Sequence, residues 1–254
     1  MPVFDSLIGS HGTAGTSASF RTRSCTFKPI VVGTIEEKLR YLRRNPLFDK
    51  AGDNMLRECA AFLTLCRRSS RMRLFYQGAA GDLVFLLSEG CVRLSRLLEN
   101  GREMITVIGP GDMFGEDALF APVERSREAL AIDDVVLFSI RAANLVALMA
   151  RQPLLALNIV RYLQKQRDEA NSTIEEIAYL TVGERLVRLM RRLADKHGIA
   201  EESGVRIDLP LTHADIASLI GSTRETVSLQ LAHLAKVGRV VVRDHAFLVP
   251  RLQP

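Results

Sequence analysis

The chain has few cysteines, and they form no recognisable pattern. Cys25, Cys59, Cys66 and Cys91 are scattered over 254 residues, and no two of them make a CxxC pair. Scattered cysteines argue against a disulfide framework and give little support for a zinc site. We therefore expect free thiols packed as small apolar side chains, and no bound metal.

Long apolar runs are also missing. The sequence contains no run long enough to span a bilayer, which needs about 20 apolar residues. It also shows no charged start leading into an apolar core and a cleavage-like site, as a secretory signal would. We expect a cytoplasmic protein without a membrane partner.

The sequence shows no spacing typical of an enzyme. No paired acid and base, no nucleophile beside a histidine and no metal-ligand set stands out. A binding protein is the expected class, and no catalytic residue is assigned.

Length and charge leave room for two cores and an anionic partner. A chain of 254 residues is long for one domain and comfortable for two. Its 47% apolar and 25% charged residues are typical of an ordinary globular protein. The net charge of +5 and pI near 9.2 fit a polyanion. Changes of pattern divide the chain into a flexible tail (1–33), a sensor domain (34–150), a long helix (151–181) and a C-terminal helical domain (182–254).

The second segment has the pattern of a small β-structure behind one helix. Thr34 and Glu37 have the spacing of a capping box, and Pro46 is expected to end that helix. Short apolar runs then alternate with Gly, Asp and Asn, which predicts an antiparallel barrel or sandwich. The turn-like Glu-Asn-Gly at 99–101 predicts a hairpin tip.

The third segment predicts one long helix. Pro153 suits its first turn, and mostly apolar residues recur along one side at steps of three and four, from Ala156 to Leu180. About 28 residues at 1.5 Å each give about 42 Å, more than a small barrel covers. A second copy of the helix is the economical cover, so we expect a two-fold homodimer. Burial within one chain is the alternative.

The last segment predicts a helix-turn-helix followed by a hairpin. Thr212 and Asp215 can cap a first helix, which Gly221 ends in the left-handed conformation. Ser222 and Glu225 have the spacing of a second capping box. Two helices and a tight glycine turn within about 25 residues are typical of this motif.

The second helix offers polar side chains in its first turn, while its other side carries apolar residues. Arginine can bind guanine or a phosphate, glutamate can accept from cytosine, and nearby basic residues can fix the register on the DNA backbone. The candidate DNA-binding residues are Ser222, Thr223, Arg224, Glu225, Ser228, Leu229, His213 and Arg243, and Arg185, Arg188 and Arg192 of the preceding helix can add contacts. A protein-interaction module is the alternative.

GPGDMFGEDALF (109–120), followed by ERSREAL (124–130), is the second dense motif. Its glycines permit close turns, and Arg125 and Ser126 follow closely after Glu116. Helix N-terminal amides, a fixed guanidinium and a hydroxyl can together seat a phosphate, and Glu116 can accept from a sugar hydroxyl. A buried structural ion pair is the alternative interpretation.

Together these motifs resemble the Crp/Fnr regulators. The resemblance is carried by PGDMFGEDALF, then Arg-Ser, then IAYLTVGERLVRLM, then IASLIGSTRETVSLQLAHL, within residues 45–250. It implies an α+β protein with an N-terminal cyclic-nucleotide-binding-like jelly-roll β-barrel, a long dimerisation helix and a C-terminal winged helix-turn-helix. It also implies palindromic promoter DNA and RNA polymerase as partners.

The resemblance assigns roles by position. It places Gly115 and Glu116 at a ribose, and Arg125 with Ser126 at a cyclic phosphate. The family's cyclic AMP-binding members contact adenine with a Thr-Ser pair from the partner's long helix, where this chain offers Asn171 and one hydroxyl fewer. Asn171 can still pair with a purine edge, so we expect a cyclic nucleotide effector, with cyclic AMP favoured.

Other signals also occur in the family. An iron–sulfur or haem sensor needs clustered cysteines or axial ligands, and the scattered cysteines and the lone His11 before residue 141 disfavour both. Another nucleotide, a different small molecule, a thiol switch at Cys25 or Cys91, and activity without ligand stay open. A nucleotide-gated scaffold without a DNA role is a further alternative.

Leu229 departs from the family pattern. On a helical wheel Leu229 points away from the buried side of its helix. At this position the family's recognition helices carry an arginine. Leucine can touch a thymine methyl but cannot bond a base edge, which predicts an altered or relaxed preference at that base pair.

Overall fold

A computed structural model describes residues 33–120, 124–243 and 246–250 of the chain. The predicted tail up to residue 32, which includes Cys25, lies outside these ranges. The backbone of Arg243 is described, but its side chain is not.

Two helices precede the sheets. Helix α1 (Ile35–Leu42) begins with the predicted capping box, in which the Thr34 hydroxyl accepts from the N–H of Glu37 at 3.2 Å and the Glu37 carboxylate accepts from the N–H of Thr34 at 2.8 Å. The prediction that Pro46 ends α1 is wrong. Helix α1 already ends at Leu42, and Pro46 begins a separate 3-10 helix, Pro46–Phe48. Helix α2 (Asp53–Phe62) follows.

The described part of the sensor segment contains two four-stranded antiparallel sheets. Their strands are β1 (Thr64–Arg68), β2 (Arg73–Phe75), β3 (Leu83–Glu89), β4 (Val92–Leu97), β5 (Glu103–Ile108), β6 (Met113–Phe114), β7 (Glu128–Ala131) and β8 (Val135–Arg141). One sheet has the order β1-β8-β3-β6 and the other β2-β7-β4-β5. Each sheet thus combines strands from distant parts of the segment, which confirms the expected jelly-roll architecture.

Alternating side chains from both sheets form the core of the sandwich. Phe75, Phe85 and Phe114 stack there with ring centroids 5.0 to 6.1 Å apart. The predicted hairpin tip joins β4 to β5, and Gly101 takes the positive φ of 75° that this turn requires.

Helices α3 (Ala142–Arg151) and α4 (Pro153–Tyr179) follow, with a sharp bend of 118° between them. Pro153 occupies the first turn of α4, as predicted. The start of α4 packs on the 3-10 helix and on the sandwich. The buried Asn158 amide donates to the carbonyl of Leu47 in the 3-10 helix (3.1 Å) and to the carbonyl of Asp49 just after it (3.0 Å). Among the described helices none is by itself long and apolar enough to cross a membrane, although the bent pair α3 and α4 reaches that length and composition together.

The C-terminal segment is a winged helix-turn-helix. It consists of α5 (Val182–His197), β9 (Gly198–Glu201), β10 (Gly204–Ile207), α6 (His213–Ile220), α7 (Arg224–Lys236), β11 (Val241–Arg243) and β12 (Ala246–Pro250). The four strands pair in the order β11-β12-β10-β9. The hairpin β11–β12 confirms the predicted closing hairpin, which forms the wing.

The sandwich and the C-terminal domain touch directly. Cys91 and Val107 of the sandwich belong to the same buried apolar cluster as the core of the helix-turn-helix. Three polar contacts accompany that cluster, and we call the whole set the sensor–HTH contact: Arg93 with Asp215 at 3.4 Å, Asp112 with Lys196 at 3.4 Å, and Cys91 Sγ with His197 Nδ1 at 3.3 Å.

Candidate functional site

Arg125 precedes β7 along the chain, and its guanidinium lies inside the sandwich. The residue is only 3% exposed. Its Nη1 donates to the carbonyl of Gly115 at 2.9 Å, and its Nη2 donates to the carbonyl of Leu83 at 2.6 Å. Its Nε is buried and has no hydrogen-bond partner in the described part of the chain. Backbone carbonyls therefore fix the cation while one of its donors stays unused.

Two glycines and an aromatic ring shape the space around this cation. A Cβ at Gly81 would lie 2.3 Å from Arg125 Nε, and a Cβ at Gly115 would lie 2.7 Å from Nη1. Gly115 also has φ +75°, which favours glycine. The guanidinium carbon lies 4.5 Å from the ring centroid of Phe75. Sequence reasoning missed Gly81 and Phe75, because their spacing from Arg125 is not a local pattern.

The carboxylate of Asp117 accepts from both members of the predicted phosphate pair. Its Oδ1 accepts from Arg125 Nη1 at 2.8 Å. Its Oδ2 accepts from the N–H of Ser126 at 3.0 Å and lies 3.4 Å from the Ser126 hydroxyl. The structure thus brings Gly115, Arg125 and Ser126 together, and it also contains the buried ion pair of the alternative interpretation. Asp117 belongs to the quoted GEDALF motif but was not singled out as a site residue.

The two remaining candidate ligand residues differ in position. Glu116 lies next to this cluster, half-buried, and its carboxylate pairs with Arg127 at 3.7 Å. Asn171 is exposed on α4, and its side chain makes no hydrogen bond within the described ranges. Within the described chain Asn171 therefore makes no hydrogen bond to the Arg125 cluster.

Tyr162 ties the long helix to the strand that leads into the site. Its hydroxyl accepts from the N–H of Met113 at 2.9 Å and donates to the carbonyl of Met113 at 3.0 Å. Burial raises the pKa of Tyr162, so the hydroxyl keeps the proton that it donates. Met113 precedes Gly115 by two residues, so one short strand connects this contact with the Arg125 cluster.

No residue of the predicted seam on α4 is buried within the described chain. Leu155 and Ile159, on a different side of the helix, are buried against the N-terminal domain, whereas Val160, Ile174 and Ile177 of the seam are exposed in the single chain. Ile174 is the most open of the three, at 64% exposed. The seam is therefore an apolar surface without an intramolecular cover over most of its length.

The first helix of the helix-turn-helix begins and ends as predicted. The Thr212 hydroxyl accepts from the N–H of Asp215 at 3.1 Å, and the Asp215 carboxylate accepts from the N–H of Thr212 at 2.9 Å. Gly221 ends α6 in the left-handed conformation, with φ 63° and ψ 52°.

The predicted cap of α7 is wrong by one residue. The N–H of Ser222 donates to the carbonyl of Ala217 at 2.9 Å, so Ser222 closes α6 instead of opening α7. Thr223 is the N-cap, and its hydroxyl accepts from the N–H of Thr226 at 3.2 Å. Glu225 is consequently released from capping and lies exposed in the first turn.

The N-terminal half of α7 presents three exposed residues, Arg224, Glu225 and Leu229, which we call the exposed trio. Leu229 is 72% exposed, as the helical wheel predicted. Ser228 is half-buried, and its hydroxyl lies 2.8 Å from His213 Nδ1. Ser228 and His213 therefore link α6 to α7, and the exposed trio takes no part in that link.

The arginines of α5 differ in exposure, and their contribution to DNA contacts stays a prediction: the side chains of Arg188 and Arg192 are 57% and 43% exposed. Arg185 is buried, and Arg188 and Arg192 pair with the buried Glu176 of α4 at 3.7 and 2.5 Å. These side chains fasten α5 to the end of α4.

The sensor–HTH contact is neutral at its centre. Burial raises the pKa of the Cys91 thiol to about 12 and lowers the pKa of His197. A buried thiol with a raised pKa is unreactive, which argues against a thiol switch at Cys91. Within the described ranges no group of three or more His, Cys, Asp and Glu side chains is arranged to hold a metal ion.

Two protein families match successive parts of the chain. The cyclic nucleotide-binding domain family matches residues 70–152, which include the Arg125 cluster. The Crp-like helix-turn-helix domain family matches residues 184–253, which include α6 and α7. The two matches correspond to the sensor and C-terminal domains.

Whole proteins show the same order of domains. The chain is 30% identical over 177 residues to the CRP-like cAMP-activated global transcriptional regulator of Mycobacterium tuberculosis, a match that covers 69% of this chain and 79% of that protein. It is 33% identical over 179 residues to the global nitrogen regulator of Synechococcus elongatus, covering 69% of this chain and 81% of that protein. A CRP/FNR family transcriptional regulator from Thermus thermophilus has a similar structure, with a TM-score of 0.63, 28% identity and coverage of 74% of this chain and 94% of that one. The chain therefore belongs to the Crp family of transcription regulators.

Proposed function

We propose that the protein is a homodimer whose binding to a palindromic promoter site is controlled by a cyclic nucleotide in the sandwich, with cyclic AMP favoured. The observation that carries the proposal is the buried guanidinium of Arg125, fixed between two glycines and holding a donor in reserve. Charge-assisted bonds from such a cation to a phosphate are strong. The name of the Mycobacterium tuberculosis relative supports cyclic AMP, whereas the name of the Synechococcus relative supports a different signal.

The seam on α4 supports the homodimer. A helix of 27 residues is about 40 Å long, and its exposed isoleucines and valine need an apolar cover. A second α4 in a two-fold arrangement buries the same residues from both copies. In that dimer we assign Asn171 of each copy to the partner's ligand, as the family resemblance implies.

The exposed trio on α7 supports DNA readout in the major groove. Arg224 can bond guanine or a phosphate, Glu225 can accept from cytosine, and Leu229 can touch a thymine methyl. Two such helices related by a two-fold axis would read two half-sites of a palindrome. Promoter binding by this route makes RNA polymerase a partner and the cytoplasm the place of action.

A ligand can regulate DNA binding only if it interacts differently with two arrangements of the protein. The sensor–HTH contact and the bond from Tyr162 to Met113 offer that difference. Through Tyr162 a change at the ligand cluster reaches α4, and through Asp112 and Lys196 it reaches the C-terminal domain. The contact is thus the element whose geometry the effector would bias.

The test is DNA binding by the full chain to a palindromic site, measured by gel shift or fluorescence anisotropy with and without cyclic AMP. Cyclic AMP should strengthen binding by the wild type, and the Arg125→Leu variant should lose that response while staying folded. Arg141→Leu removes an exposed arginine that pairs with Asp82, so it is the matched control and should respond normally. Unchanged cyclic AMP affinity of Arg125→Leu in calorimetry would refute the assignment.

Activity without any ligand is the second candidate, and the Asp117 carboxylate favours it because it already supplies an anion to Arg125 and Ser126. Equal affinity for the DNA site with and without cyclic nucleotides would support this candidate. A redox signal has less support, because the described cysteines, Cys59, Cys66 and Cys91, are all buried.

A further inference from the structure

The anion seat of the sandwich is already occupied by a side chain of the same loop. Three donors that a cyclic phosphate would use, Arg125 Nη1, the N–H of Ser126 and its hydroxyl, all point at the carboxylate of Asp117. We propose that Asp117 is a built-in competitor of the effector phosphate and sets the affinity of the site. This inference rests on the proposed control by a cyclic nucleotide.

A carboxylate and a phosphate cannot share these donors. Both are anions that need the same short charge-assisted bonds, and each one bound excludes the other by occupancy and by charge. A phosphate must therefore displace Asp117 before it reaches Arg125. The Asp117 side chain is 21% exposed whereas the Arg125 side chain is 3% exposed, so the carboxylate is the member of the pair that solvent and a ligand can reach.

The rest of the seat does not depend on Asp117. The carbonyls of Gly115 and Leu83 hold two guanidinium nitrogens, and the ring of Phe75 covers one face of the group. Loss of the carboxylate therefore frees Nη1 and the N–H of Ser126 while the guanidinium keeps its position. What is lost is the charge that neutralises a buried cation, so the ligand-free variant should be less stable than the wild type.

Two substitutions isolate this effect. Asp117→Asn keeps the shape of the side chain and removes its charge, and Asp117→Ser also shortens it, so one serves if the other folds poorly. Asp53→Asn is the matched control, since it removes the same charge from an exposed ion pair between Asp53 of α2 and Arg43. Full-length protein is titrated by calorimetry with cyclic AMP, with cyclic GMP and with adenosine, which lacks the phosphate.

For the nucleotide that the wild type prefers, we expect at least a tenfold lower Kd in both Asp117 variants and no change in Asp53→Asn. Adenosine should gain nothing, because it brings no anion to the freed donors. Thermal unfolding provides a second readout: Asp117→Asn should have a lower Tm than the wild type without ligand and a larger rise of Tm on adding the nucleotide.

The outcomes separate this inference from the function on which it rests. If the wild type binds a cyclic nucleotide and neither Asp117 variant binds it more tightly, Asp117 is not a competitor, while nucleotide control stands. An equal gain for adenosine would likewise overturn the competition. If the wild type and both variants bind neither nucleotide, nucleotide control fails and the inference fails with it.

Discussion

Truncation of Ile174 to alanine should weaken the proposed homodimer. Ile174 lies in the C-terminal half of the exposed seam of α4 and is 64% exposed in the single chain. A partner helix that covers this fraction removes the larger part of the side chain from water. Alanine takes away most of that apolar surface and preserves helix propensity, so the change isolates the contact.

The size of the effect follows from the exposed fraction. Full burial of an isoleucine is worth about 1.5–3 kcal/mol, so covering about two thirds of it is worth about 1–2 kcal/mol. A two-fold dimer contains the residue twice, which gives about 2–4 kcal/mol. At 1.4 kcal/mol for each factor of ten, the dimer Kd should rise by about 30- to 700-fold.

Sedimentation equilibrium over a dilution series measures this Kd directly. Ile199→Ala is the matched control, because Ile199 is also an exposed isoleucine but lies on β9 in the C-terminal domain. The control should dimerise like the wild type. A dimer Kd for Ile174→Ala within threefold of the wild-type value would show that the seam is not the interface.

Three further predictions concern the reading helix and the sensor–HTH contact. Leu229→Arg should sharpen the preference at one base pair of the half-site, and unchanged binding to every single-base variant of the site would contradict this. Thr223→Ala should lower the free energy of unfolding by about 1 kcal/mol because α7 loses its cap, whereas Ser222→Ala should cost less, as denaturant titration can measure. Because burial holds the pKa of His197 below its value in water of about 6.5, the sensor–HTH contact is favoured above that pH and loses stability as the pH falls below it. Hydrogen-exchange protection factors at β4 and β5, which correct for the slower intrinsic exchange at lower pH, should therefore fall from pH 7.5 to pH 5.5. His197→Gln should remove the part of this dependence due to His197, and an unchanged pH dependence of the protection factors in that variant would refute the assignment.

The order of domains and the helix ends could largely be predicted from local sequence. The capping boxes at Thr34 and Thr212, the left-handed Gly221 and the first-turn Pro153 are each set by the chemistry of a few neighbouring residues. The outward side chain of Leu229 follows from helical periodicity alone. Such features depend on interactions within one or two turns, which the sequence displays.

The misplaced cap of α7 shows where local reasoning ends. Ser222 and Thr223 are adjacent hydroxyl residues, and either can cap a helix. The choice is made by the end of α6, because the Ala217 carbonyl takes the N–H of Ser222 and so assigns that residue to the turn. Helix starts are decided jointly with what precedes them.

The Arg125 cluster was only partly predictable from the sequence, for a different reason. The pattern predicted Arg125 and Ser126 as a pair and left open whether the cation binds an external phosphate or an internal carboxylate. The partner is determined by which side chain the 3-10 turn at 116–120 directs inward, and that turn carries two adjacent acids. The alternation between Glu116, which faces Arg127, and Asp117, which faces Arg125, appears only in three dimensions.

The joint between α4 and α5 would restrict the operators that the proposed homodimer can bind. Only Leu180 and Thr181 separate the two helices, and Glu176 is gripped by Arg188 and Arg192 across that joint. If these ion pairs hold the joint rigid, the helix-turn-helix of each subunit moves as one body with the end of its α4. The distance between the two α7 helices of the proposed dimer would then be fixed. One extra base pair in the centre of a palindrome would turn one half-site by about 34° away from its α7 helix. Spacing, as much as base sequence, would then decide which promoters the regulator recognises.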